Sequence, residues 1–157
     1  MSKNHVFNTS LVWNGANGTG TTSYTAYSRN HTISGNGKPS IPGSSDPVFR
    51  GDGSRYNPEE LLIASLSSCH MLWYLHLCSE AGVIVTAYTD NATGTMSEDN
   101  TGNGRFTEVT LNPVVTVKEK TMEAKAINLH HKAHEKCFIA NSCNFPVLHT
   151  PTVSTEA

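Results

Sequence analysis

Four thiols stand out among the residues able to do chemistry: Cys69, Cys78, Cys137 and Cys143. Cys69 sits in SLSSCHMLW and Cys137 in HKAHEKCFIANSC, both within helical patterns. Two accounts fit such residues. Free cysteine packs as a small hydrophobe and is among the most buried residue types. Redox use requires two thiols on elements that can pack face to face, a cation to favour the thiolate, and access for an oxidant.

Arg29, Arg50 and Arg55 are the candidate cations, because the helix carrying Cys69 has none of its own. A guanidinium stays charged when partly desolvated and offers a planar fork of donors, which a carboxylate can hold in place. Glu59 or Glu60 can supply that carboxylate, although each also suits the plain role of stabilising a helix start. Glu59 precedes Cys69 by ten residues. On a straight helix that is a rise of about 15 Å on a different face, so the two cannot touch within one helix. A spanning arginine, a bent helix or a partner subunit would have to close the gap. A third chemistry is zinc binding by His130, His134 and Cys137, which recur at about one turn, with Cys69 or His70 as a further ligand.

The Cys69 helix begins with Asn57 as N-cap, Pro58 at the first helical position and two carboxylates in the first turn. It is expected to run to about residue 81 and stop at Gly82. Between Leu61 and Ser79 it carries no Asp, Glu, Lys or Arg and is apolar or small all round, the pattern of a helix buried on every side. Its length approaches a membrane span, but Ser65, Ser67, Ser68, His70 and His76 would be costly in hydrocarbon. A second helix is expected over 121–141, with Ile127, His131, His134 and Phe138 on its inward face.

Around these helices the sequence alternates in extended segments. Residues 5–33 read as a β-hairpin about the GANGTG break, and residues 34–56 as an ordered loop with one short edge strand. VIVTAYTDNATGTM and GRFTEVTLNPVVTVKEK read as two strands of an antiparallel hairpin, and NFPVLHTPTV as a last edge strand. The order is that of a single α+β domain over residues 1–157. A wholly apolar helix in a chain of 157 residues with few large hydrophobes further favours a homodimer that covers it.

Composition narrows the function classes. Net charge is −2, and the eleven Lys and Arg are scattered rather than gathered in a stripe, so no nucleic-acid partner is expected. MSKNHVFNTS has neither an apolar core nor a small-residue cleavage site, so a cytoplasmic location away from membranes is expected. There cysteines serve as thiols, ligands or redox groups rather than as a static disulfide framework. No phosphate-cradling loop with a Lys-Ser/Thr sequel and no G-x-S-x-G elbow occurs.

RYNPEELLIASLSSCHMLWYL, followed much later by AHEKCFIAN, resembles the OsmC/Ohr family of hydroperoxide reductases. YSRNHTI and IPGSSDPVFRGD point to its OsmC-like branch. The resemblance implies an intertwined homodimer with two long central helices packed by antiparallel sheets, and sites at the subunit interface. It implies that Cys69 attacks the peroxide and Cys137 resolves the product as a Cys69–Cys137 disulfide. Glu59 would hold an arginine, for which Arg29 is the choice and Arg50 the alternative. The implied reaction reduces organic hydroperoxides to alcohols, with an external dithiol such as a lipoylated protein as reductant and no metal, flavin or nicotinamide. An apolar lining of Leu61, Leu62, Leu66, Met71, Leu72, Trp73 and Phe138 would favour bulky substrates. Phe138 departs from the family, which commonly has proline after the second cysteine. Cys78 and Cys143 are expected to be packing residues, with Cys143 a minor alternative resolver. The rival account is a non-catalytic stress or small-molecule-binding protein on the same scaffold.

Overall fold

The computed structural model describes residues 3–156, which fall into two compact units divided at Leu61/Leu62. The first unit holds β1 (Ser10–Trp13), β2 (His31–Ser34) and β3 (Ile41–Gly43) in one antiparallel sheet of order β1-β2-β3. The hairpin and the short third strand follow the sequence expectation. A short 3-10 turn at Pro47–Phe49 then leads toward α1 (Pro58–Glu80).

The start of α1 shows why it forms where it does. The Asn57 side chain accepts a hydrogen bond from the Glu60 amide at 2.8 Å, and the Glu60 carboxylate accepts one from the Asn57 amide at 3.1 Å. This reciprocal capping box satisfies two amides that lack partners in the helix. At the other end Gly82 takes a left-handed φ of 72°. Its amide donates to Ser79 O at 3.3 Å, and that of Val83 to Cys78 O at 2.9 Å, closing the helix with a Schellman motif.

The second unit contains two further sheets and α2 (Glu123–Lys136). The two long extended segments do not form one hairpin. Each divides into two strands, giving β4 (Val85–Asp90), β5 (Thr93–Glu98), β6 (Gly104–Leu111) and β7 (Pro113–Val117). β5 pairs with β6 and β4 with β7, in separate sheets. The break falls where Asp90 accepts from the Asn112 amide at 2.7 Å and Asn112 Nδ2 donates to Asn91 O at 2.9 Å, just before Pro113, which has no amide to donate. The tail likewise forms two strands about Pro151, β8 (Val147–His149) and β9 (Thr152–Thr155). β8 runs parallel to β6 and β9 parallel to β7, so these sheets are mixed rather than wholly antiparallel. Parallel pairing needs a long crossover, and the segment containing α2 supplies it.

One stripe of α1, Leu66, His70, Tyr74 and Cys78, is buried. Leu66 joins Val109, Leu111 and Val147 of β6 and β8, while Tyr74 and Cys78 join Val115, Val117, Ala126, Leu129 and Ala133 of β7 and α2. Burial of α1 on every side is therefore not found within one chain: Leu72 remains 64% exposed and Leu75, Leu77 and Trp73 only half-buried. By length and hydropathy α1 could cross a membrane, but its buried stripe is packed against two sheets and a helix. In α2 the inward face is Ala126, Leu129, His130 and Ala133, with Cys137 following. The expected face of Ile127, His131, His134 and Phe138 is mostly outward, with Phe138 67% exposed. Small residues fill that inward face because they let a helix approach closely.

Candidate dithiol site

Cys69 and Cys137 meet. Cys69 lies one residue from His70 and three from Leu66, a position at the edge of the buried stripe, and is half-buried as a result. Cys137 is 1% exposed. It is not an interior helical residue: α2 ends at Lys136, and Cys137 caps it with extended backbone angles of φ −67° and ψ 108°. A 3-10 turn at Ala140–Ser142 follows, folding the chain so that the Ala140 amide points at the Cys137 sulfur at 3.5 Å.

Burial raises the Cys137 thiol to about 11, with the side-chain hydrogen bond to Cys69 next in effect, and the Ala140 and Ile139 amides pull only partly the other way. Cys69 is the member of the pair more open to solvent. Cys78, buried in the core, and Cys143, which donates to Ile139 O at 3.3 Å, are also raised by burial.

The two thiols belong to the second unit; Arg29 and Glu59 belong to the first. Arg29 donates to the carbonyls of Tyr27 at 2.7 Å and Tyr24 at 2.8 Å, and lies 4.2 and 4.4 Å from the centres of their rings. Two carbonyls and two aromatic faces hold it in one pose. Arg50 is exposed, with a left-handed φ of 64°, and Arg55 is paired with Asp52 at 3.2 Å. No ion pair joins Glu59 to an arginine among the described residues. The capping box does separate the two carboxylates: Glu60 is committed to the helix start, whereas Glu59, half-buried, has no such duty.

Aromatic groups flank the thiols. Trp73, one turn beyond Cys69, meets Phe138 edge to face at 5.5 Å, and Lys136 lies 5.6 Å above the Trp73 ring. Leu72, Trp73 and His76 line a shallow cleft of about 240 Å³. Leu66 cannot belong to such a lining, because it is wholly buried in the core.

The histidines do not form the zinc set considered from spacing. His130 Nδ1 is 3.0 Å from His70 Nε2 on the other helix, and the His134 ring instead faces His149 at 5.3 Å. Among the described residues no three His, Cys, Asp or Glu side chains are placed to hold a metal. The sequence offers His70 to His130 only as a fellow candidate zinc ligand; their direct pairing, sixty residues apart on different helices, has no signal there.

A dithiol between a long apolar helix and the end of a second one, within mixed sheets, defines a thiol-bearing α+β protein of one recognised kind. The chain belongs to the OsmC-like family, whose model matches residues 51–150. It is 32% identical to an OsmC-like protein of unknown function from Vibrio cholerae, over 97% of this chain and 100% of that one, with a TM-score of 0.83. An organic hydroperoxide resistance protein from Elizabethkingia anophelis is 20% identical over 98% of this chain and 100% of that one, with a TM-score of 0.67. A putative organic hydroperoxide resistance protein from Vibrio cholerae, with captopril bound in one of its active sites, is 21% identical over 98% and 95%, with a TM-score of 0.62. No curated protein matched the sequence.

Proposed function

We propose that this protein is a thiol peroxidase that reduces organic hydroperoxides to alcohols. The observation that carries the reading is the contact of a half-buried Cys69 with a buried Cys137. Cys69, as the thiolate, attacks the outer peroxide oxygen; the O–O bond breaks, the alkoxide leaves as the alcohol after protonation, and Cys69 becomes a sulfenic acid. The Cys137 thiol then attacks that sulfur, water leaves, and a disulfide remains. An external dithiol, such as a lipoylated protein, returns both thiols by exchange.

Arg29 is the preferred partner of the thiolate and Glu59 the carboxylate that orients it. In support, Glu59 is spared by the capping box. The half-buried Trp73 with the exposed Leu72 and Phe138 suits a bulky apolar alkyl group better than hydrogen peroxide. With purified protein and a dithiol reductant, turnover of an alkyl hydroperoxide is expected to exceed that of hydrogen peroxide at least tenfold in kcat/KM, roughly the value of one or two buried methylenes. Equal rates would remove the apolar site from the account.

The uncovered apolar faces of α1, together with Phe138 and Ile84, form a patch of a kind that marks an interface. A second copy of the chain is the proposed cover, in the cytoplasm. Light scattering is expected to give twice the chain mass, and a monomer at micromolar concentration would contradict this.

A further inference from the structure

Between α1 and α2 lies a polar contact that the thiol chemistry does not use. His70 and His130 are 0% and 1% exposed. Their rings are parallel within 8° and joined nitrogen to nitrogen at 3.0 Å. Two neutral imidazoles bring one N–H each, so the contact uses one hydrogen and one lone pair. The outer atoms, His70 Nδ1 and His130 Nε2, are left buried without a partner. An apolar pair of similar volume would avoid that cost.

What an apolar pair cannot do is fix the helices against sliding. A buried contact of one donor and one acceptor exists in a single register, the attested use of a lone polar residue in a helical interface. Both thiols ride on these two helices. Cys69 adjoins His70 on α1, and Cys137 follows His130 by seven residues, about 10 Å along α2. The surroundings keep the pair neutral: the Tyr74 ring stacks on His130 at 3.8 Å, and His149 lies 5.6 Å from His70, with His134 beyond it.

We propose that the His70–His130 pair is a positioning element for the dithiol, locking α1 to α2 in the register that presents Cys69 to Cys137. It raises the effective concentration of one thiol at the other. This rests on Cys69 and Cys137 being the reactive pair, and it is independent of the peroxide step.

The test is equilibrium oxidation of the full chain in glutathione buffers, in which one glutathione disulfide oxidises the protein dithiol and releases two glutathiones. The variant is His70→Leu/His130→Leu, which replaces the pair by apolar groups. Its urea midpoint at pH 7.5 is expected to equal or exceed that of the parent, while the equilibrium constant for the Cys69–Cys137 disulfide falls at least tenfold. For a two-electron couple that is about 30 mV. His130→Gln, which keeps a donor and an acceptor, should recover most of the loss. An equilibrium constant within twofold of the parent in the double variant, or no recovery by glutamine, overturns the proposal. If the double variant does not fold, His130→Ala is read against the same tenfold and twofold limits. A parent inert to peroxide but showing the shift would support the positioning role and sink only the peroxidase reading. A parent that forms no such disulfide would overturn both.

Discussion

Cys69→Ser is expected to abolish hydroperoxide reduction, with kcat/KM falling at least about a thousandfold, the scale of losing a covalent nucleophile. Cys137→Ser should act differently. Its first oxidation should proceed at a rate within a few-fold of the parent, because Cys137 enters only after the O–O bond has broken. The product should then persist as a sulfenic acid on Cys69 that a dimedone probe captures. In the parent that species is consumed, since the resolving sulfur already lies in hydrogen-bond contact with Cys69. Cys78→Ser and Cys143→Ser serve as controls: both thiols are raised by burial and neither is expected to change the rate. Loss of the first oxidation in Cys137→Ser with its retention in Cys69→Ser would reverse the assigned roles.

Acid should begin to destabilise this protein above the pH at which its carboxylates titrate. Burial first, and neighbouring imidazoles second, lower His70 to about 4 and His130 to about 3. Below about 6.5 the unfolded chain therefore takes up protons that the folded chain refuses. Stability is full above pH 6.5 and falls as pH drops toward 4 and 3, by on the order of 3 to 5 kcal/mol for the two groups at pH 4.5. That is a large share of a typical domain's stability. Asp52, Asp99 and Glu123 are shifted below their usual values. Their contributions are lost only as pH falls below the ordinary carboxylate range, so the window from 6.5 to 4.5 reports the imidazoles. Urea midpoints measured across it should fall steeply in the parent and much less in His70→Leu/His130→Leu, in which only His134 is still lowered by burial. A level profile in the parent would show that the pair is not buried neutral.

How far these features could be read beforehand depends on whether their cause is local. The start of α1 is local: Asn57, Pro58, Glu59 and Glu60 carry the cap, the first turn and the dipole match within four residues, and the observed helix begins there. Its end at Gly82 is equally local. The inward face of α2 departs from its large apolar positions because close helix packing selects small side chains, Ala126 and Ala133, which carry no strong periodic signal. The strand breaks at Asn91 and Asn112 depend on Asp90 reaching across twenty-two residues, and the parallel pairing of β8 and β9 on the crossover through α2. Neither leaves a periodic trace. The two thiols were visible as residue types, but their contact and the imidazole pair beside them are products of tertiary packing. The residues alone leave Glu59 and Glu60 equal and only the resemblance selects Glu59; the capping box that occupies Glu60 is a detail of the folded helix start.

The most direct measurement adds one equivalent of an alkyl hydroperoxide to the fully reduced protein, quenches with an alkylating reagent and maps the thiols by mass spectrometry. Loss of two thiols per chain, with Cys69 and Cys137 joined in one chain and Cys78 and Cys143 alkylated, is the predicted result. Four alkylated thiols with the peroxide unconsumed would contradict the account.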